Sequence, residues 1–376
     1  MENHELEIKR LKQEIKNLED SLVWYKETYE KRSLLGIIKT KLTQHKEPEV
    51  KTDLEREIIR YVKQNHKPKK RKYTKKVSII ILSLNRFDDT ANAISNIYKF
   101  TKVPFEVIIL DNNSAADVKE NLKQLQSKYH HLKVIFEDRN LGCAGGRDKA
   151  KQYATGEYVL FLDNDILVLP YYLENLINRL EEDDKIAGAC CKTVFPDGKI
   201  QFNGGSIVFD DDYALFSLMN EGLHFSDETS NNKEECQWIP GGTTIWKKAV
   251  LDNFSVDPQM KGAFEDNEVC LRLIRSGYKL VNSPGSIVIH NHFMYKAEEY
   301  QNKEQHYYKE RNNAERILYA LLHFYQKHQL IVSFAWKGNP WDIYFGLQGK
   351  EEILNFINDK TGIKNEASSI NLHTNI

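Results

Sequence analysis

Glu157-Tyr158-Val159-Leu160-Phe161-Leu162-Asp163-Asn164-Asp165 is the stretch that decides the fold. A short apolar run between Gly156 and an acidic pair reads as a parallel-sheet strand covered on both faces. In open α/β sheets, ligands bind at the carboxyl ends of the strands. Two carboxylates there can hold a hard divalent cation, and the cation can hold a diphosphate. A solvated turn produces the same spelling about as often, so the flanking sequence must decide.

Upstream, strands and helices alternate. Val77–Leu84 is a β-branched strand ending at Asn85-Arg86, and Asp88 is placed to cap a helix running to about Phe100. Phe105–Leu110 is a second strand, ending at Asp111-Asn112-Asn113-Ser114. After another helix comes the strand Leu132–Phe136. The segment 142–146 reads as a glycine-rich loop before a helix over 147–153, and Tyr158–Leu162 is the fourth strand. This order implies a mostly parallel central sheet with right-handed crossovers. Asn85, Asp111 and Asp163/Asp165 should then gather on one rim, as a nucleotide pocket requires.

The 376 residues suffice for one large domain with appendages, or for two domains. With 41% hydrophobic and 28% charged residues the composition is that of an ordinary globular protein. No apolar run has the length of a membrane span. Met1-Glu2-Asn3-His4-Glu5 has no apolar segment of the secretory kind, and Cys143, Cys190, Cys191, Cys236 and Cys270 lack metal-ligand spacing. Buried free thiols in a cytoplasmic protein are the expectation. Residues 1–76 carry 21 Lys+Arg against 13 Asp+Glu, and the remainder carries 32 against 41. A basic front end thus precedes an acidic body, which disfavours nucleic acid as a partner.

Four segments follow from the patterning. Residues 1–65 form a helical arm. Within residues 4–30, Ile8, Leu11, Ile15, Leu18, Leu22, Tyr25 and Tyr29 make an a/d seam of about three heptads, the lower limit for a homo-oligomerising coiled coil. A second amphipathic stretch lies near Asp53–Lys63. Residues 66–76, with Lys67-Pro68-Lys69-Lys70-Arg71-Lys72, form a basic linker, a solvated tether or a peripheral contact with the anionic inner face of a membrane. Residues 77–330 form the α/β domain and 331–376 a C-terminal extension. The polar segment 210–235 reads as an irregular loop or lid.

Five ordered motifs carry a resemblance. They are Ser78–Arg86, Ile109–Ser114, Arg139-Asn140-Leu141-Gly142-Cys143-Ala144-Gly145-Gly146-Arg147, the Asp163-Asn164-Asp165 strand, and Gly262-Ala263-Phe264-Glu265-Asp266-Asn267-Glu268. In that order they resemble the GT-A glycosyltransferases of family 2, nearest the rhamnosyltransferase-like and galactofuranosyltransferase-like branch. Tyr307-Tyr308-Lys309-Glu310-Arg311-Asn312 is similar to that branch's late Tyr-rich helix. The resemblance covers roughly residues 77–325.

It implies an α/β GT-A fold and a set of roles. Asn85 and Asp111 would face the nucleotide, Asp111 accepting a pyrimidine ring N–H. Arg147 would face the diphosphate, where a guanidinium neutralises phosphate oxygens. Asp163, nearer the ribose, and Asp165 would hold Mn²⁺ or Mg²⁺, completed by a histidine of Ser286–His292, with His290 fitting better than His292. Asp266 would be the general base of an inverting transfer. Glu265 would bind a substrate hydroxyl. Trp238, Gly241 and Gly242 would belong to the acceptor-side loop, with a buried core Trp as the even alternative. Acids at a helix start also suit the helix dipole, which accounts for one carboxylate there but not for the whole motif.

The activity implied is transfer of a sugar from UDP or dTDP to a hydroxyl of a glycan, lipid-linked or polypeptide acceptor, typically in surface polysaccharide or cell-wall glycan synthesis. A non-catalytic sugar-nucleotide-binding scaffold is the alternative, against which the intact set Asp163, Asp165 and Asp266 argues. A nucleotidyltransferase would instead want a glycine-rich basic loop after the first strand, where Ser83-Leu84-Asn85-Arg86 stands.

Overall fold

The computed structural model describes residues 53–210, 212–257, 259–260, 263–302, 304, 312–335 and 338–362. The chain divides into two compact units, Met1–Glu49 with Phe293–Arg311, and Val50–His292 with Asn312–Ile376. The described part of the smaller unit includes a 3₁₀ turn, Phe293–Tyr295. The Gln301 amide donates to the Met294 and Lys296 carbonyls there. The heptad segment 4–30, Gly262 and the stretch Tyr307 to Arg311 lie outside the described residues.

The larger unit is α/β. Helix α1 (Asp53–Asn65) precedes the alternating series β1 (Val77–Ser83), α2 (Phe87–Phe100), β2 (Phe105–Asp111), α3 (Ala116–Lys128), β3 (Leu132–Phe136), α4 (Gly142–Lys151) and β4 (Tyr158–Asp163). These four strands lie side by side in parallel, β4 and β2 flanking β1. Along β1, Val77, Ile79 and Ile81 pack into one apolar layer and Ile80 into the other. Burial on both faces is why β1 reads as an unbroken β-branched run.

Beyond β4 come β5 (Ile166–Val168), α5 (Tyr172–Leu180), β6 (Ile186–Val194), β7 (Ile200–Phe202), β8 (Gly205–Asp210), β9 (Tyr213–Leu218), β10 (Glu235–Cys236), β11 (Thr243–Lys247), α6 (Lys248–Asn253), α7 (Glu265–Arg275) and β12 (Lys279–His290). The last elements are α8 (Ala314–His328), β13 (Ile331–Phe334), α9 (Pro340–Phe345) and α10 (Lys350–Thr361). The main sheet runs β10-β12-β6-β11-β4-β1-β2-β3, with β5 on β12 and β7 on β6. Only β11 interrupts the parallel core, antiparallel to both β4 and β6. A small second sheet is ordered β13-β9-β8.

Several expectations are corrected. The second amphipathic stretch is the helix α1, and it belongs to the α/β body rather than to a separate arm. Ile58 and Val62 are fully buried there with Phe225, Ile287 and Ile289. The basic linker is docked. Arg71 and Lys75 pair with Glu181, and Tyr73 donates to Asn178. Segment 210–235 contributes β9 and a 3₁₀ turn (Glu228–Asn231) rather than an irregular loop. The C-terminal extension is integral, with β13 paired to β9 and Trp341, Ile353 and Ile357 fully buried. Residues 142–146 form the first turns of α4, where Gly146 lets the helix approach Leu82 of β1 to within 3.1 Å of a Cβ position. α2 begins at Phe87, so Asp88 stands in its first turn and is not its cap. All five cysteines are free thiols, four of them buried. No helix among the described residues is long and apolar enough to cross a membrane.

Candidate functional site

β1, β2, β4 and β12 point the same way, so their carboxyl ends share a rim. Because β11 enters antiparallel beside β4, its leading residues Gly241 and Gly242 reach that same rim. The Asp163 N–H donates to the Gly242 carbonyl at 2.9 Å. A Cβ on Gly242 would lie 2.1 Å from Asp163 Oδ2, and one on Gly241 would lie 2.1 Å from Arg147 Nη1 and 2.4 Å from Asp266 Oδ1. Three charged side chains from three elements therefore converge where only glycine leaves room.

Arg147, buried on α4, bridges two of them. Its Nη2 donates to Asp163 Oδ1 at 3.0 Å and its Nη1 lies 3.5 Å from Asp266 Oδ1. Burial works against its charge, but Asp163 and then Asp266 outweigh it and hold the guanidinium firmly protonated. Asp266 opens α7, and its Oδ2 also accepts the Gly241 N–H at 2.8 Å. Phe264, just before α7, takes a left-handed backbone (φ 64°) and stacks on Phe334. A bulky residue in that conformation is a local strain held by its surroundings. Glu265 is buried beside Asp266.

Asp165 turns the other way. Arg86 Nη1 donates to its Oδ2 at 3.1 Å, while its Oδ1 is 3.4 Å from His290 Nε2. Between the two aspartates, the Asn164 amide donates to Thr90 Oγ1, tying the turn to α2. His290 ends β12 opposite Ile166, and its Nδ1 meets Gln201 Oε1 at 2.7 Å. His292 packs edge-on against the His290 ring.

The expected metal trio is thus not gathered as a unit. Among the described residues no group of three or more His, Cys, Asp or Glu is set to hold an ion. Asp163 faces Arg147, whose guanidinium supplies the opposing charge. Asp165 and His290 remain a convergent oxygen and nitrogen pair. Such an oxygen and nitrogen donor set fits the chemistry of Mn²⁺.

At the end of β2, Asp111 is fully buried. Its Oδ2 accepts the Ser114 N–H at 3.1 Å, but its buried Oδ1 has no hydrogen-bond partner. Burial pushes its carboxyl above the usual range. An orphaned buried acceptor is rare, and a ligand donor is one explanation for it. Asn85, also left-handed, uses its side-chain oxygen to accept the Ala115 N–H at 2.8 Å, and its own N–H donates to Ser114 Oγ. Its side chain therefore shapes the Asp111 loop.

Trp238 lies in the core between Phe202 and Phe216, its indole N–H donating to the Ser217 carbonyl at 3.0 Å. The core alternative is the one observed, and the ring is not displayed as a sugar platform. Glu268 is buried too, its Oε1 accepting from Arg272, Lys327 and His328, so it anchors α7 to α8. Three positioning residues escaped the sequence reading. Arg86 is marked only by following a strand end. Asn112 joins β2 to the start of α4 through Leu141 and Gly142. Gln201 carries no local signal.

Comparison with known proteins gives the family. The model described as "Glycosyl transferase family 2" matches residues 78–233, and "Glycosyl transferase family group 2" matches residues 158–350, about half of the chain. An uncharacterized glycosyltransferase, YibD, of Escherichia coli is 31% identical over 117 residues, 31% of this chain and 34% of the relative. The cholesterol galactosyltransferase of Borreliella burgdorferi is 34% identical over 109 residues, 29% of this chain and 30% of the relative. An Escherichia coli UDP-Glc:alpha-D-GlcNAc-diphosphoundecaprenol beta-1,3-glucosyltransferase, WfgD, is 30% identical over 104 residues, 28% of this chain and 40% of the relative. The matched stretches span well under half of each relative's length. With a family model covering half its length and an α/β rim built from the expected motifs, the chain belongs to the family 2 glycosyltransferases.

Proposed function

We propose that this rim transfers a sugar from a nucleoside diphosphate to an acceptor hydroxyl, inverting the anomeric centre, in glycan synthesis. The observation that carries the reading is the Arg147 bridge. A buried, permanently charged guanidinium stands between Asp163 on one side and Asp266 on the other. A diphosphate drawn to Arg147 would place its anomeric carbon near Asp266. The unpaired Oδ1 of Asp111 is an acceptor suited to the ring N–H of uracil or thymine. The relative WfgD is named for a UDP-glucose donor, which supports UDP here.

In the step itself, Asp266 takes the proton of the acceptor hydroxyl as its oxygen attacks the anomeric carbon from the face opposite the leaving group. The bond from that carbon to the diphosphate oxygen breaks, and its electron pair leaves with the diphosphate. Arg147 neutralises the charge that develops on the phosphate. Asp165 and His290 would hold a divalent cation, which when bound supplies Lewis-acid stabilisation of the leaving diphosphate. Asp163 orients Arg147 and faces the donor's ribose. Glu265 holds a substrate hydroxyl. The acceptor is a glycan, a lipid-linked sugar or a polypeptide.

The test is a panel of UDP and dTDP sugars with Mn²⁺, read by thermal shift and by release of nucleoside diphosphate. One donor should both stabilise the protein and be slowly hydrolysed. Asp266→Asn should keep the thermal shift and lose turnover about 10²-fold or more. Substantial turnover by that variant removes the base assignment. Silence across the whole panel, with and without acceptor sugars, removes the transferase reading.

A further inference from the structure

Gln201 lies 89 residues from His290 in sequence yet holds its ring by a 2.7 Å contact from Oε1 to Nδ1. We propose that Gln201 is the positioning residue for the cation: it fixes the His290 N–H on Nδ1 and so turns the Nε2 lone pair toward Asp165. This rests on the reading that Asp165 and His290 hold a divalent cation.

The placement of Gln201 is built into the fold. β7 is three residues long, and its outer members Ile200 and Phe202 are buried in two different apolar clusters. Alternation along a strand sends the middle side chain to the opposite face. There it meets His290. The backbone is pinned as well. The Ile200 N–H donates to the Leu223 carbonyl at 2.7 Å, and the Ile200 carbonyl accepts from Gly222 at 2.9 Å. The His290 ring is confined on other sides by Phe195, stacked at 21° with centroids 6.1 Å apart, and by His292. A ring held this way has one orientation, with Nε2 at 3.4 Å from Asp165 Oδ1.

A neutral imidazole has one N–H and one lone pair. An amide oxygen at Nδ1 accepts a hydrogen bond only from a protonated Nδ1, so the lone pair must be on Nε2. Metal-binding histidines are commonly oriented by such an outer acceptor, and its loss typically costs 10- to 100-fold in metal affinity. Arg86 plays the matching part for Asp165, holding Oδ2 while Oδ1 faces the histidine.

The experiment is Mn²⁺ binding to the full chain, alone and with UDP, followed by the electron paramagnetic resonance of free Mn²⁺. Gln201→Glu keeps an acceptor at the position, whereas Gln201→Leu and Gln201→Met remove it. We expect the Glu variant to bind Mn²⁺ within about threefold of the wild type or more tightly. The Leu and Met variants should weaken binding about 10- to 100-fold while melting normally without metal. The nitrogen coupling of a bound imidazole should persist in the Glu variant and fade in the other two. If Leu and Met bind like the wild type while His290→Ala abolishes binding, the role of Gln201 is overturned and the metal reading survives. If the wild type fails to bind Mn²⁺ under either condition, both fall together.

Discussion

Gly242→Ala isolates the geometry of the rim from the stability of the fold. The added Cβ would be 2.1 Å from Asp163 Oδ2, 2.5 Å from Cγ and 2.9 Å from Oδ1. Rotating the carboxylate does not relieve a clash with Cγ, so the whole side chain must retreat by roughly 1 Å to reach ordinary contact. A misplacement of about 1 Å near the chemistry can cost on the order of 10²-fold in rate. The fold should hardly notice. Gly242 is not among the residues with positive φ, so alanine fits its backbone and restricts the unfolded chain, a gain of about 0.4–1 kcal/mol. Against that stands the loss of the Asp163–Arg147 contact. With Asp163 about half exposed, this is worth about 1 kcal/mol or less. Turnover of the donor found in the panel should therefore drop about 10²-fold with the melting temperature nearly unchanged. Gly349→Ala, whose Cβ meets only Glu352 Cβ at 4.0 Å, is the control and should leave turnover unchanged. Wild-type turnover in Gly242→Ala would refute the claim that Asp163 must stand where it does.

The remaining predictions concern stability. Glu268 is fully buried, and despite burial its bonds to His328, Arg272 and Lys327 draw its carboxyl down to about 2. A carboxyl lowered on folding stabilises above its ordinary 4.5 and loses that contribution as pH falls toward 2. It is worth about 3 kcal/mol, which Glu268→Gln should forfeit at pH 7 along with part of the acid sensitivity in urea melts. Equal acid sensitivity in that variant would contradict the assignment. Lys192 is fully buried, donating to Phe225 O, Ser230 Oγ and Asn231 Oδ1, and burial lowers its pKa from 10.5 to about 7 against the pull of Asp227. The unfolded chain then binds the extra proton between those values, so stability should rise with pH across that window, and Lys192→Met should flatten the rise. An unchanged slope would show that another group is responsible. Ile58→Ala should cost about 2–5 kcal/mol in a denaturant melt, because α1 is part of the body, and a cost under about 0.5 kcal/mol would return α1 to a separate arm.

How far the sequence was readable follows from which interactions are local. β1 to β4 emerge within a residue or so of their observed ends because β1, β2 and β4 are long apolar runs and the edge strand β3 is a short one bounded by polar residues. The antiparallel insertion of β11 has no such signature, since Thr243-Thr244-Ile245-Trp246-Lys247 would suit either direction. The glycines before Arg147 suggest a loop by composition, yet the close approach of α4 to β1 requires glycine inside a helix, and that tertiary demand overrides propensity. Asp163 could be singled out from a strand end, and Arg147 and Asp266 from the family resemblance. That Gly241 and Gly242 are the wedge joining them is visible only once β11 lies beside β4. Gln201 and Arg86 act through side chains reaching across the fold, with no periodicity to mark them.

The charges also explain how such a rim can fold before a ligand arrives. Asp163, Asp165, Glu265 and Asp266 all stand at one edge, and neighbouring carboxylates repel in a partly buried site. Arg86 faces Asp165, and Arg147 faces Asp163 and Asp266, so two guanidiniums distribute counter-charge among these acids. Arginine suits this task because it stays protonated when buried and can serve two carboxylates from one planar head. A donor diphosphate with its cation brings both signs at once. On the proposed reading, its phosphates would draw on Arg147, and Asp165 with His290 would hold the cation. Binding would then be an exchange of partners among charges that already have counter-charges, which lowers the cost of burying new unpaired charge. The glycines of the wedge serve the same end, because they let Arg147 lie close enough to both aspartates to be shared.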